Sequence, residues 1–137
     1  MNIEHIAIWV SDLEGMKAFY MRFFGMQSGN IYRNQKKQYS SCFLSFGSGA
    51  RIELMHRPDI HGATDPGNRP GQAADRREQT GLSHLAITTG SREEVDRLTA
   101  ALRKEGHIIA GEPRITGDGY YESVVLDPEG NRLEITE

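Results

Sequence analysis

The sequence predicts an α+β fold of two tandem βαβββ modules, residues 1–56 and 81–137, joined by a linker loop over 57–80 within one domain spanning 1–137. Three observations predict it. The same order of local signals runs through the chain twice. Each half opens on a run with a period of two and continues into a run with the period of a helix. Finally, 137 residues suit one ordinary domain, in which two small modules share a core better than they would fold apart.

The first half begins EHIAIWV and the second SHLAITT, so His5 matches His84, Ala7 matches Ala86 and Trp9 matches Thr88. A helix is expected next in each half. From Asp12 to Phe24 the apolar residues Leu13, Met16, Phe19, Tyr20 and Phe23 recur at three- and four-residue steps, and from Ser91 to Lys104 Val95, Leu98 and Leu102 do the same. Ser11 or Asp12 can cap the first helix, and Ser91 with Glu94 forms a capping box for the second. Gly25 and Gly106 stand where a left-handed terminal residue belongs.

Three strands should follow each helix. The inner ones are expected at Gln27–Arg33 and Tyr39–Phe46, then at Ile108–Ile115 and Tyr120–Leu126. The last strand reads ARIELM in the first half and NRLEIT in the second, which matches Glu53 with Glu134. Before it, Asp127-Pro128-Glu129-Gly130-Asn131 is a strong hairpin signal. The stretch Arg57–Thr80, rich in Gly, Pro, Asp and Arg, reads as a solvated linker or loop.

Side chains two apart on a strand share a face. His5, Ala7 and Trp9 therefore oppose Ile6, Ile8 and Val10, and His84, Ala86 and Thr88 oppose Leu85 and Ile87. Glu53 opposes Ile52 and Leu54, just as Glu134 opposes Leu133 and Ile135. If the helices cover the apolar faces, the two histidines and two glutamates all point the other way. Chance agreement of four such parities is about one in sixteen. Glu53 lies 48 positions after His5 and Glu134 50 after His84, a difference that a two-residue loop change absorbs. Imidazole and carboxylate donors suit a divalent cation, Zn2+ or Ni2+ first, with Co2+, Mn2+ or Fe2+ also fitting and Ca2+ disfavoured. The other histidines, His56, His61 and His107, have no counterpart in the repeat and read as structural or surface residues.

On the segments HIAIWVSDLEGMKAFYMRFFGM, RIELM, GLSHLAI and LDPEGNRLEIT, the chain resembles the glyoxalase/bleomycin-resistance/dioxygenase, or vicinal oxygen chelate, superfamily over essentially its whole length. The resemblance implies a curved mixed sheet with the helices on its convex face, and a metal held by His5, Glu53, His84 and Glu134. The four-ligand pattern is similar to glyoxalase I, lactoylglutathione lyase. Methylmalonyl-CoA epimerases usually carry Gln at the position of Glu53, and extradiol dioxygenases and fosfomycin-resistance enzymes use three protein ligands. It follows that the resemblance implies a metal-dependent lyase or isomerase moving a proton on a chelated α-hydroxycarbonyl, hemithioacetal-type substrate, with Glu134 and Glu53 as the catalytic carboxylates: Glu134 is the candidate general base, Glu53 stands opposite it, and either can loosen from the metal when substrate oxygens arrive. An epimerase or dioxygenase of the same superfamily, or a drug-sequestering binding protein without catalysis, are the alternatives.

The chain departs from glyoxalase I at two glutathione contacts, with Trp9 in place of an Arg and Arg57 where an Asn is common. Trp9, beside His5, is expected to wall the site. Arg57, Arg114 and Tyr120 are candidates to meet an anionic substrate at the rim, and Glu122 shares the cavity face with Val124. Many members build their sites at subunit contacts, so a homodimer is expected, and the four ligands can come from one chain or two.

The apolar fraction of 37% and charged fraction of 26% are those of a globular protein. No stretch approaches the roughly 20 apolar residues that cross a bilayer. The first residues lack a basic n-region and read as a strand, so a cytoplasmic location is expected. With a net charge of −3 and scattered Lys and Arg, nucleic acid is not an expected partner; a small molecule is. Cys42, the single cysteine, reads as a small strand residue.

Overall fold

The computed structural model describes residues 1–60 and 81–137. The chain divides into two compact units, whose described residues are 1–60 and 81–137. His61 and most of the expected linker therefore lie outside the described residues. Its first residues, Arg57–Ile60, form a turn closed by Ile60 N–H donating to the Arg57 carbonyl.

In the first unit β1 (His5–Trp9) leads into α1 (Leu13–Phe24), followed by β2 (Gln27–Ser28), β3 (Tyr32–Asn34), β4 (Tyr39–Ser45) and β5 (Arg51–His56). The sheet order is β1-β5-β4-β2, with β3 also pairing β4. β1 runs parallel to β5 and the other pairs are antiparallel. In the second unit β6 (Leu85–Thr88), α2 (Arg92–Lys104), β7 (Ile109–Ile115), β8 (Tyr121–Leu126) and β9 (Arg132–Thr136) form a sheet in the order β6-β9-β8-β7, again with its first and last strands parallel. Both expected modules are present, each as a mixed sheet with one helix. The architecture is the α+β vicinal oxygen chelate type.

The helices form where their caps allow. Asp12, in extended conformation, accepts from Gly15 N–H to start α1, and Gly25 ends it at φ 66°. Ser91 accepts from Glu94 N–H to start α2, but the Glu94 carboxylate turns to Arg97 and does not close the expected box. Gly106, at φ 86°, ends that helix with its N–H donating to Arg103 O and the next N–H, of His107, donating to Leu102 O. Without a Cβ, both glycines take the left-handed conformation at no steric cost.

α1 buries Leu13, Met16, Phe19 and Tyr20 against β4 and β5, where Cys42, Leu44, Ile52 and Leu54 are buried. α2 buries Val95, Leu98, Thr99 and Leu102 against β8 and β9, where Val125, Leu133 and Ile135 are buried. Removing each Leu or Ile from water contributes about 1.5–3 kcal/mol. A polar contact crosses the second core: Thr99 and Ser123 hydroxyls bond at 2.6 Å, and Thr99 also donates to Val95 O. Cys42 is the buried strand residue expected, its thiol pKa pushed up by desolvation.

The inner strand after each helix is less regular than its pattern suggests. The expected Gln27–Arg33 strand is split into β2 and β3 around Gly29 and Asn30, and only Gly29 N–H, donating to Phe43 O, keeps the ladder in between. β7 shifts register twice, at 109/111 and 111/114, across Gly111 and Pro113. Arg114 Nη1 and Val124 side-chain atoms lie 3.1–3.3 Å from where a Cβ on Gly111 would stand, so a side chain there would press on both and they would have to give by a few tenths of an ångström. Proline, lacking an N–H, fits because β7 is the outermost strand of its sheet.

Candidate metal centre

Strand register determines what each face presents. In the first unit His5 pairs Arg51, Ala7 pairs Glu53 and Trp9 pairs Met55 on parallel strands; in the second Ala86 pairs Glu134 in the same relation. Ala7 and Ala86 thus stand opposite the two carboxylates. The helices cover the other face, so His5, Glu53, His84 and Glu134 all stand away from the helix of their own unit, as the parity argument requires.

Each unit brings one imidazole to one carboxylate. His5 Nε2 lies 3.6 Å from Glu53 Oε2, and His84 Nε2 lies 3.1 Å from Glu134 Oε2. The same nitrogen faces the carboxylate in both. Both histidine side chains are 38% exposed, while Glu53 and Glu134 are more enclosed, so each pair is reachable from solvent through its imidazole. Two donors bound to one cation at about 2.1 Å, with 90–110° between them, lie roughly 3.0–3.4 Å apart. The observed separations are close to that range, and the donor set is one a divalent transition ion takes. Among the described residues no three His, Cys, Asp or Glu side chains gather in one metal-holding group. Each unit presents one imidazole and one carboxylate.

The neighbours orient these groups. Glu4 accepts from His5 Nδ1 and also from Arg51. Because a carboxylate can only accept, His5 Nδ1 donates to Glu4 and the ring is turned so that Nε2 faces Glu53; metal-bound histidines usually make an outer bond of this kind. The Glu4 carboxyl is held below the usual carboxylate range, first by this bond to His5 and then by Arg51. The Phe43 ring stands edge-on to His5 at 5.4 Å, with the Arg51 guanidinium 4.1 Å above it. In the second unit Ser83 Oγ, likewise one residue before the histidine, contacts His84 Nδ1 at 3.3 Å.

Glu53 has a further partner. Tyr39 Oη donates to Glu53 Oε1 at 3.1 Å, so the two carboxylate oxygens face different groups. Burial raises the Tyr39 phenol pKa, and the adjacent carboxylate adds to the rise. Trp9 stands edge-on to Tyr39 with ring centres 6.1 Å apart, and Tyr32 is 6.3 Å away on the other strand pair. Arg57 lies over Trp9 at 5.8 Å while its Nε bonds Asp59. Trp9 and Arg57, both expected near the site, therefore join a cluster of rings on the Glu53 face.

In the second unit Val124 pairs Glu134 and Glu122 pairs Thr136, which puts Glu122 and Val124 on the Glu134 face as expected. Arg114, opposite Glu122 on β7, forms an ion pair with it at 3.3 Å. Tyr120 is exposed, its backbone held in the turn by Thr116. His56 is structural, its Nδ1–H donating to Val10 O at 3.0 Å.

Glu4, Ser83 and Tyr39 were not singled out from the sequence. The first two stand immediately before the repeated histidines. Tyr39 has a counterpart as well, since Phe43 pairs Glu53 and Val124 pairs Glu134, and Tyr39 and Tyr120 each stand four residues earlier.

With this geometry in view, the comparisons with known proteins agree on a class. The model of the Glyoxalase/Bleomycin resistance protein/Dioxygenase superfamily matches residues 2–135, and the chain belongs to that superfamily. It is 34% identical over 141 aligned positions to YwkD of Bacillus subtilis, an uncharacterised protein, covering 99% of this chain and 96% of that one. It is 26% identical to the lactoylglutathione lyase of Salmonella typhimurium, covering 100% and 93% of the two chains. Among solved structures, the trypanothione-dependent glyoxalase I of Leishmania major superposes with a TM-score of 0.74 at 22% identity, over 100% of this chain and 86% of that one. Glyoxalase I of Zea mays gives the same TM-score and identity over 98% of this chain; the chain spans 44% of the maize protein's length. No helix among the described residues is long and apolar enough to cross a membrane.

Proposed function

We propose that the protein is a metal-dependent lyase or isomerase of the glyoxalase I kind, built as one vicinal oxygen chelate domain, in which His5, Glu53, His84 and Glu134 hold one divalent cation. Zn2+ or Ni2+ fits these donors best, and Co2+, Mn2+ and Fe2+ are also compatible. The observation that carries the reading is the recurrence, in both modules, of an imidazole Nε2 facing a carboxylate oxygen on the face away from the helix. A carboxylate at position 53, where an epimerase usually has an amide, favours isomerisation. A homodimer is part of the proposal, since the second His–Glu half can come from the same chain or its mate.

The substrate class is the adduct of a thiol with a 2-oxoaldehyde, or another α-hydroxycarbonyl compound. When bound, the cation supplies Lewis-acid polarisation of the substrate's paired oxygens. Glu134 takes the proton from the carbon that bears sulfur and hydroxyl and returns it to the neighbouring carbonyl carbon. One C–H bond breaks, one forms, and no oxidant is consumed. Trp9 excludes water beside the reacting carbons, and Arg57 with Arg114 attracts an anionic carrier. Trp9 and Arg57 replace the residues that glyoxalase I directs at glutathione, which favours another thiol as carrier. The trypanothione-dependent glyoxalase I of Leishmania major, similar in fold, supports a carrier other than glutathione.

The test is proton NMR of methylglyoxal mixed with glutathione and a panel of other low-molecular-weight thiols, over protein loaded with Ni2+ or Zn2+. A hydroxyacyl thioester should accumulate with at least one thiol and be lost in Glu134→Ala. Absence of thioester with every thiol, together with full metal retention by Glu53→Ala and Glu134→Ala, overturns the proposal.

A further inference from the structure

The two His–Glu pairs are not equivalent in one respect. Glu53 Oε1 accepts from Tyr39 Oη at 3.1 Å while Oε2 faces His5. Glu134 has its contact with His84 and, among the described residues, no side-chain hydrogen bond of its own. The counterpart of Tyr39 does not supply one. Tyr120 precedes β8 instead of lying in it, and its backbone N–H and carbonyl are both engaged by Thr116 in the preceding turn. Tyr39 is by contrast the first residue of β4, registered against Asn34 of β3 and held among the rings of Trp9 and Tyr32.

We propose that Tyr39 is a positioning residue that clamps Glu53 as a fixed ligand, leaving Glu134, which has no such clamp among the described residues, as the carboxylate that moves a proton. The inference rests on the metal site of the proposed function and adds a division of labour to it. A phenol O–H bonded to one carboxylate oxygen restricts rotation about the last side-chain torsion and keeps the other oxygen turned toward His5 Nε2. To leave the cation and act as a base, Glu53 would first have to break a charge-assisted hydrogen bond, whereas Glu134 would not. The ring contacts matter because they hold the phenol in place when the carboxylate pulls on it. Outer partners of this kind are worth about 10–100-fold in metal affinity.

Tyr39→Phe keeps the ring and its neighbours and removes only the hydroxyl, so it tests the clamp directly. Metal affinity is read by competition with a chromogenic chelator, and ligand geometry by the visible absorption of the Co2+-loaded protein; neither readout depends on turnover. The expected result for Tyr39→Phe is about tenfold weaker binding and an altered Co2+ spectrum. Tyr32→Phe, a phenol in the same cluster without a bond to Glu53, should change neither. In a Glu53→Ala background the Tyr39→Phe change should add nothing. If Tyr39→Phe matches wild type in affinity and spectrum while Glu53→Ala loses metal, the clamp is refuted and the metal site stands. If Glu53→Ala also keeps its metal, the site itself is refuted and the clamp with it.

Discussion

Removing the Glu4 carboxylate should weaken metal binding although Glu4 is not itself a ligand. Glu4 accepts from His5 Nδ1 and so leaves Nε2 directed at Glu53, and Arg51 in turn holds Glu4. Losing such an outer partner costs about 10–100-fold in metal affinity. Glu4 is 61% exposed, so water can replace much of what it supplies and the lower end, about tenfold, is expected for Glu4→Ala. Glu4→Gln should fall between that variant and wild type, because an amide oxygen still accepts from Nδ1 but lacks the charge. Ser83→Ala should cost less than either, since Ser83 is neutral and its contact with His84 is 3.3 Å long. Isothermal titration with Zn2+ at fixed pH and salt gives the three affinities. Equal affinity for Glu4→Ala and wild type, alongside loss in Glu53→Ala, would show that His5 is oriented by its strand alone and would refute the reasoning.

Three further outcomes follow from the fold. Leu133→Ala, at a fully buried position under α2, should cost about 2–5 kcal/mol in urea unfolding, and a value under 1 kcal/mol would mean that the site collapses freely. Gly25→Ala should cost about 1 kcal/mol because the residue sits at φ 66°. No atom lies within 4 Å of the added methyl, so the backbone strain is the whole effect. Glu137 accepts from Arg92 through two nitrogens, and that bond lowers its carboxyl pKa. The stabilisation it gives is present above the ordinary carboxylate range and lost as pH falls through the depressed value. In a carbon-detected NMR titration, Arg92→Ala should move the Glu137 midpoint upward, and added salt should shrink the difference because the pair is exposed.

What could be read from the chain alone was whatever depends on near neighbours. The opposition of His5 to Ile6, or of Glu134 to Leu133 and Ile135, needs only strand alternation, and the structure shows it in β1, β5 and β9, with His84 standing directly before β6. Asp12, Ser91, Gly25 and Gly106 act at helix ends through bonds spanning a few residues, which makes them legible too. The capping box at Ser91 failed by half because Arg97, one turn on, competes for Glu94. The strand expected over Gln27–Arg33 is divided because alternation says nothing about whether Gly29 and Asn30 keep pairing with β4. Tyr39 was missed for a deeper reason: its bond to Glu53 depends on the register of β4 against β5, and so on the turn between them, which side-chain pattern does not specify. Glu4 was passed over because an exposed acid before a strand is usually only solvated.

The irregular β7 has a consequence beyond the centre it flanks. An outermost strand with a regular ladder offers unpaired amides to any passing extended chain and so invites edge-to-edge aggregation. Pro113 withdraws one of those amides, and the shifts around Gly111 throw the rest out of step. The rim of the second module is therefore a poor template for a stray strand, and replacing Pro113 with a β-branched residue should make the protein more prone to self-association without touching His5, Glu53, His84 or Glu134.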